Sequence, residues 1–441
     1  MRRHFKCVSL FYNSPVVTNT YNSYEAGRGL ARNITIIGAG IVGIATASYL
    51  RRDGHAVTVV DSRPPGEYCS FGNAGILSPG SCAPQAMPGV LFKVPGYLRD
   101  PLGPLAIRPG HFFKALPWFL QLVAASRRSR VEQIADALRP LLKQTFDAYE
   151  PLVRNAGVAD MIRQTGYVVA YATRAGLQND ALPWKLRRDR GVLMEELDSA
   201  GIKQKVPQLG GHYQAGLYLP EQGYVTNPER LTKSIAAQFQ RDGGHILQRT
   251  VLDIEVSPDG PRALVTDAGN MAVETLVICA GSHSNEFSAK WGDDVPLEAE
   301  RGYHVTYSDP KFTLPMPVFL PEQKFFVTPM EMGLRIAGQS EFAGNDAEAN
   351  YARADVLATQ MQKVFPGISS VDSTKWMGRR PSMPDSLPVI GPASTMPNVW
   401  YAFGHGHVGL CGGAPTGRAL ADLIAGRPPS VDLQPFRVTR F

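Results

Sequence analysis

Runs of apolar residues broken by glycine set the first recognisable pattern in this chain. Asn33-Ile34-Thr35-Ile36-Ile37 is short, β-branched and apolar almost throughout, as a strand buried on both faces requires. A glycine-rich break, Gly38-Ala39-Gly40-Ile41-Val42-Gly43, opens a helix-like stretch over 44–52. Asp53-Gly54 stops that helix, and Ala56-Val57-Thr58-Val59-Val60 predicts a second strand ending on Asp61. Further strand-like runs cover 246–251 and 275–282, the first of them preceded by a helix over 227–241. Residues 130–155 repeat apolar positions at helical spacing and predict one long amphipathic helix interrupted at Pro140. Residues 87–126 are Pro-rich and apolar, with Phe112-Phe113 and Leu116-Pro117-Trp118-Phe119-Leu120 just before Arg127-Arg128. They read as a buried helix lining a funnel, the favoured reading, or as a patch in contact with a membrane.

The strand, glycine turn, helix, second strand and acid stand at the spacing of a dinucleotide-binding unit. Gly38 allows the tight turn, Gly40 leaves the pyrophosphate unobstructed, and Gly43 lets the helix approach the strand. The helix start offers unpaired N–H groups and about half a positive charge to phosphates. Asp61 suits the adenosine ribose hydroxyls and disfavours a 2′-phosphate, hence NADP. This unit alone does not separate NAD from FAD.

Composition narrows the class. A chain of 441 residues exceeds one compact core, so two or three domains are expected. With 44% hydrophobic and 19% charged residues, wholesale disorder is excluded. A net charge of +6 without a long basic run gives nucleic-acid binding no support. Cys7, Cys69, Cys82, Cys279 and Cys411 are odd in number and scattered, which argues against a disulfide framework or a metal site and for a reducing compartment. No apolar stretch reaches the roughly 18 residues needed to span a bilayer. Residues 1–32 are polar and lack an apolar core after Arg2-Arg3, as in a disordered extension or an early start codon. The expected location is the cytoplasm, with peripheral contact at the inner face of the plasma membrane as the alternative.

Four later segments carry a resemblance. Cys69-Ser70-Phe71-Gly72-Asn73-Ala74-Gly75 is a Gly/Ser/Asn loop unsuited to a helix. Asn227-Pro228-Glu229-Arg230-Leu231 opens a helix, and Thr275-Leu276-Val277-Ile278-Cys279-Ala280-Gly281-Ser282 ends a buried strand in Ala-Gly. The C-terminal block joins Trp376-Met377-Gly378-Arg379-Arg380-Pro381 to Pro384-Asp385-Ser386-Leu387-Pro388-Val389-Ile390-Gly391 and to Gly404-His405-Gly406-His407-Val408-Gly409-Leu410. Together, over about 33–428, these resemble the D-amino-acid dehydrogenase small-subunit-like family of FAD-dependent oxidoreductases, within the D-amino-acid oxidase/glycine oxidase superfamily.

The resemblance implies a mixed α/β fold: a discontinuous Rossmann-like FAD-binding domain from 33–84, 222–290 and 372–441, with an inserted antiparallel-sheet substrate domain from 85–221 and 291–371. It places FAD against Gly38, Gly40, Ile41, Val42, Gly43, Asp61 and Ser62, then Ser70, Asn73, Ala74 and Gly75, and finally Val251, Gly281, Gly391, Gly406 and Gly409. Relatives such as monomeric sarcosine oxidase hold flavin through a cysteine. Here that stretch has Ser382 and Met383, so FAD is expected to be noncovalent. Oxidation of an amino acid at Cα needs an anchored carboxylate, a neutral amine and a C–H aimed at the flavin. Arg380 is the expected anchor, a planar cation with two parallel donors; strand alternation would turn Arg379 away. His405 and His407 are candidates to accept the amine proton. Tyr303, with His304, is either site wall or sheet packing, Tyr224 a weaker case of the same, and Glu341 structural. The implied activity is oxidative deamination of D-amino acids, with electrons passed to a quinone or other acceptor. The alternatives are a cyclic imino acid (D-proline or cis-4-hydroxy-D-proline) or a FAD-carrying subunit of a larger complex. Choice of acceptor and oligomeric state stay open.

Overall fold

A computed structural model describes residues 31–100, 103–209, 212–369 and 371–441. The expected extension, 1–32, therefore lies almost wholly outside the described residues. The first sheet has six strands in the order His245–Gln248, Ala56–Asp61, Asn33–Ile37, Thr275–Ile278, Val399–Phe403, Val389–Pro392. Every pair is parallel except the last. Its strands are apolar on both sides because both sides are covered. Ile34, Ile36, Val57, Val59 and Val277 pack on helices Ile41–Arg52, Pro228–Arg241 and Gly409–Ile424. Ile37, Val60, Leu276 and Ile278 pack on the small antiparallel sheet Val251–Ser257, Gly260–Thr266, Gly269–Ala272 through Ile254 and Leu264.

The second large sheet runs Ser373–Ser382, Glu298–Tyr307, Gly333–Phe342, Phe325–Met330, Val318–Leu320, Tyr167–Tyr171, Ala215–Leu219, Glu195–Asp198, with Leu105–Ile107 added against Gly333–Phe342. It is antiparallel except at two joints, where Val318–Leu320 meets Tyr167–Tyr171 and where Leu105–Ile107 joins.

Strand Ser373–Ser382, within the 372–441 stretch expected in the FAD-binding domain, pairs over its full length with Glu298–Tyr307 in the second sheet. One expectation is corrected here. The expected long helix is two, Arg128–Lys143 and Thr145–Asn155, and Pro140 lies inside the first of them. The break falls at Gln144 because Thr145 Oγ1 bonds back to the Leu142 carbonyl and across to that of Cys411, tying the turn to helix Gly409–Ile424.

Helices Val90–Arg99 and Pro109–Ala125 are neither wholly buried nor wholly exposed. Leu116, Trp118 and Phe119 line the cavity between the two sheets, while Phe92 is 91% and Phe113 79% exposed. Among the described residues no helix is long and apolar enough to cross a membrane.

Candidate functional site

A continuous cavity of about 1490 Å³ lies between the two large sheets. Small-molecule pockets run roughly 300–1,000 Å³, so this one has room for a large cofactor and a substrate together. One end is the glycine turn. Gly38 has φ +115°, and a Cβ there would sit 2.3 Å from the Cys279 carbonyl oxygen. At Gly43 a Cβ would lie 1.9 Å from the Gly38 carbonyl oxygen, so helix and strand touch only because both residues are glycine. Gly40 differs. Its nearest would-be contact is the Ser70 hydroxyl at 3.5 Å, an ordinary separation, so the protein's own packing does not demand glycine there. Gly40 lines the cavity, and the missing side chain leaves space for whatever occupies it.

Asp61 ends its strand at the same place. Its Oδ2 accepts from the Ala39 N–H at 2.7 Å and its Oδ1 from the Arg63 N–H at 3.0 Å, so the carboxylate braces the turn as well as facing the cavity. Ser70 Oγ accepts from the Ile41 N–H at 2.9 Å and thereby joins the 69–75 loop to the helix start. Ile41, Val42, Ser62 and Val251 line this end, and Asn73, Ala74 and Gly281 continue the wall. Gly406 and Gly409 close it at the start of helix Gly409–Ile424. Three expected cofactor residues are not on the wall. Gly43 acts behind it, as above; Gly75 is turned toward Met330 and the Val225 carbonyl; Gly391 sits in the edge strand Val389–Pro392.

The other end is a charged cluster built on one carboxylate. Glu300 is only 2% exposed, and sheet register sets it opposite Arg380. Its Oε1 accepts from His407 Nε2 at 2.7 Å, Ser340 Oγ at 2.5 Å and Arg380 Nη1 at 3.1 Å; its Oε2 accepts from Ser382 Oγ at 2.8 Å. Burial alone would raise the Glu300 pKa, but His407, Arg380 and Ser340 together outweigh it and hold the carboxyl well below its ordinary value. Arg380 also donates to the Gln339 carbonyl at 3.0 Å and lies across the face of Gly302. Arg379 reaches the cavity too, from the opposite face of the strand, with Nη1 3.1 Å from the Tyr68 hydroxyl. Alternation separated the two arginines as expected, but the cavity wraps the strand, so both are on its wall.

The two histidines part company. His407 is half exposed at the cavity and gives Nε2 to Glu300. His405 is 3% exposed, with Nε2 2.9 Å from Thr416 Oγ1, and burial pushes its pKa down to about 3. It borders the cavity as well, but its buried, neutral imidazole has Nε2 engaged by Thr416, so of the two candidates His407 is the one that offers open surface to the cavity. Tyr303 lines the cavity and is also packed into the sheet. Its hydroxyl donates to Glu341 at 2.5 Å and accepts from the Asn350 N–H, while burial and Glu341 push its pKa up to about 12. Glu341, also held by Arg108 Nε at 3.1 Å, is structural. Glu300 was missed in the sequence, where a glutamate in a strand reads as solvent-facing. The available signal was its position three residues before Tyr303, already a candidate.

The family described as "DAO: FAD dependent oxidoreductase" matches residues 33–423, nearly the whole described chain. The chain belongs to this FAD-dependent oxidoreductase family. A protein of Bradyrhizobium diazoefficiens named D-amino-acid oxidase is 40% identical over 93% of this chain and 99% of its own length. A second from the same organism, named D-amino acid dehydrogenase, is 30% identical over 92% of this chain and 98% of its own. In fold, glycine oxidase from Geobacillus kaustophilus superposes with a TM-score of 0.72 at 20% identity, covering 93% of this chain and 99% of that one. L-proline dehydrogenase from P. horikoshii gives 0.70 at 18%, covering 93% and 98%. As a family member the chain uses FAD, and the cavity fits such a molecule in size and chemistry, with the bare Gly40, the start of helix Ile41–Arg52 and the Asp61 carboxylate at one end and residues of the 69–75 and 404–410 loops on its wall.

Proposed function

We propose that this enzyme oxidises the Cα–N bond of a D-amino acid to an imine, which water converts to a 2-oxo acid and ammonia. The carrying observation is that a single cavity joins the glycine turn to the Arg380–Glu300–His407 cluster. FAD, when bound, supplies the acceptor for the hydride that leaves Cα. The protein's share is positioning. Arg380 has five N–H donors, and those not given to Glu300 and the two neighbouring carbonyls anchor the substrate carboxylate. His407 presents Nδ1, because Glu300 takes the proton on Nε2, and Nδ1 accepts a proton from the substrate ammonium so that the amine is neutral when Cα–H is lost. A carboxylate that fixes the tautomer of a histidine base is a recurring catalytic arrangement. The names of the two Bradyrhizobium relatives support D-amino acids as the substrate class.

D-proline and cis-4-hydroxy-D-proline fit the same cluster, the ring nitrogen meeting His407, and are the second reading. Mixing the yellow enzyme anaerobically with D-alanine, D-proline, their L-forms and sarcosine decides between them by which compound bleaches the flavin. Bleaching by none removes amino-acid chemistry altogether. Turnover with an artificial dye by the purified chain tests whether it acts without a partner subunit.

FAD is held noncovalently in this reading. The cavity thiols are the half-buried Cys69 and the buried Cys279 and Cys411; desolvation raises all three, Cys69 and Cys411 to about 11, which leaves them protonated and poorly nucleophilic. Acid precipitation should release all yellow colour. The acceptor is a quinone reached through peripheral membrane contact: Leu91, Phe92, Phe113 and Leu120 are exposed on two neighbouring segments, beside exposed Arg99, Lys114, Arg127 and Arg128. Oxygen consumption as fast as quinone reduction would overturn that part.

A further inference from the structure

The 69–75 loop is held from behind by the second sheet. Four consecutive carbonyls accept side-chain hydrogen bonds from it. Arg335 Nη1 donates to the Asn73 carbonyl at 2.9 Å and the Phe71 carbonyl at 3.4 Å; His304 Nδ1 donates to Gly72 at 2.8 Å; Thr328 Oγ1 donates to Ala74 at 2.8 Å. The three donors stand on three different strands, Glu298–Tyr307, Phe325–Met330 and Gly333–Phe342. Gly72 is further pinned by Trp376, since a Cβ there would fall 2.2 Å from the indole. Gly72, Asn73 and Ala74 form cavity wall all the same.

The donors are not equivalent. Thr328 is neutral, and burial pushes the His304 pKa down to about 3, so that ring is neutral as well. Arg335 is 3% exposed and, among the described residues, has no carboxylate within 4.0 Å; Glu229, the acid whose charge reaches it, is paired with Lys233. A buried cation bonded only to neutral groups is costly, and its field extends far in a low-dielectric interior.

We propose that Arg335 is a positioning residue for the cofactor: it places an uncancelled positive charge behind the wall on which FAD rests, and so favours the reduced, more negatively charged form. The other two donors order the loop without adding charge. This inference depends on FAD occupying the cavity and not on the amine-oxidation reading, because its test needs no substrate.

The test compares Arg335→Met, Arg335→Gln, Arg335→Lys and Thr328→Val in the full chain, by dye-equilibrated midpoint potential and by FAD dissociation followed through flavin fluorescence. Arg335→Met and Arg335→Gln should lose at least tenfold in relative affinity for reduced over oxidised FAD, about 30 mV toward negative potential for two electrons. Arg335→Lys should keep most of the parent potential. Thr328→Val should bind FAD more weakly with its potential unmoved. An unchanged potential in Arg335→Met or Arg335→Gln overturns the proposal, as does an equal shift in Thr328→Val. If the two neutral variants hold no FAD, retention by Arg335→Lys at the parent potential supports the role of charge. Equal failure of all three arginine variants overturns it and makes Arg335 a folding residue.

Discussion

Glu300 is the residue on which the substrate end turns, because it gives two cavity groups, Arg380 and His407, their orientation at once. Glu300→Gln should keep FAD and its visible spectrum while kcat falls. Arg380→Ala should raise KM at least tenfold, since a charged hydrogen bond is worth about 1.5–3 kcal/mol, and Arg380→Lys should restore only part. Acid stability separates two kinds of buried group. The depressed Glu300 pKa gives stability that is complete above its ordinary 4.5 and is lost as pH falls below it. His304 and His405, held near 3 against an ordinary 6.5, make the fold lose stability from 6.5 downward, because only the unfolded chain takes up those protons. Melting curves against pH should therefore begin to fall near 6.5, and His405→Gln should flatten that first part only. Of these residues Arg380 and His407 were legible from motif position. Glu300 was not, because its burial depends on strand pairing, and His405 was not separable from His407 until the turn at Gly406 (φ +48°) sent the two rings to different places.

At the scale of elements, the strand–turn–helix start could be read closely because each of its demands is local: buried strands, a glycine turn, an acid at a strand end. The glycines test this directly. Gly40→Ala should fold and melt like the parent without cofactor yet hold FAD weakly, whereas Gly43→Ala should fail to fold. Equal behaviour of the two by circular dichroism and FAD titration would contradict the division drawn between them. The place of strand Ser373–Ser382 in the second sheet was not legible, because adjacency in sequence to Val389–Pro392 says nothing about its partner; the pairing with Glu298–Tyr307 is a long-range choice. The helix break at Gln144 escaped for a similar reason, being fixed by Cys411 rather than by Pro140. For helices Val90–Arg99 and Pro109–Ala125 a period cannot tell which apolar side meets the cavity and which meets the outside. Replacing Phe92 and Phe113 together by serine should lower co-sedimentation with anionic vesicles and leave dye-coupled turnover unchanged.

For the whole molecule, the two large sheets meet across the cavity proposed to hold FAD and substrate, so ligand binding should join them. A cofactor bound only by the folded chain adds about 2.7 kcal/mol at a hundredfold excess over Kd. Stripping FAD should lower Tm, and adding it back should raise Tm in step with the logarithm of its concentration. A melting point indifferent to FAD would mean that the cavity does not hold it.

The order of strands in the first sheet bears on biosynthesis. Thr275–Ile278 is flanked by Asn33–Ile37 and by Val399–Phe403, segments far apart in the chain, and helix Gly409–Ile424 follows the second of them. Until residues 399–424 have left the ribosome, the central strand of the first sheet lacks one flank, and the cavity lacks the wall that Gly406 and Gly409 give it. Cofactor capture should therefore follow emergence of that segment, and flavin starvation should leave apoprotein rather than fragments ending before residue 399.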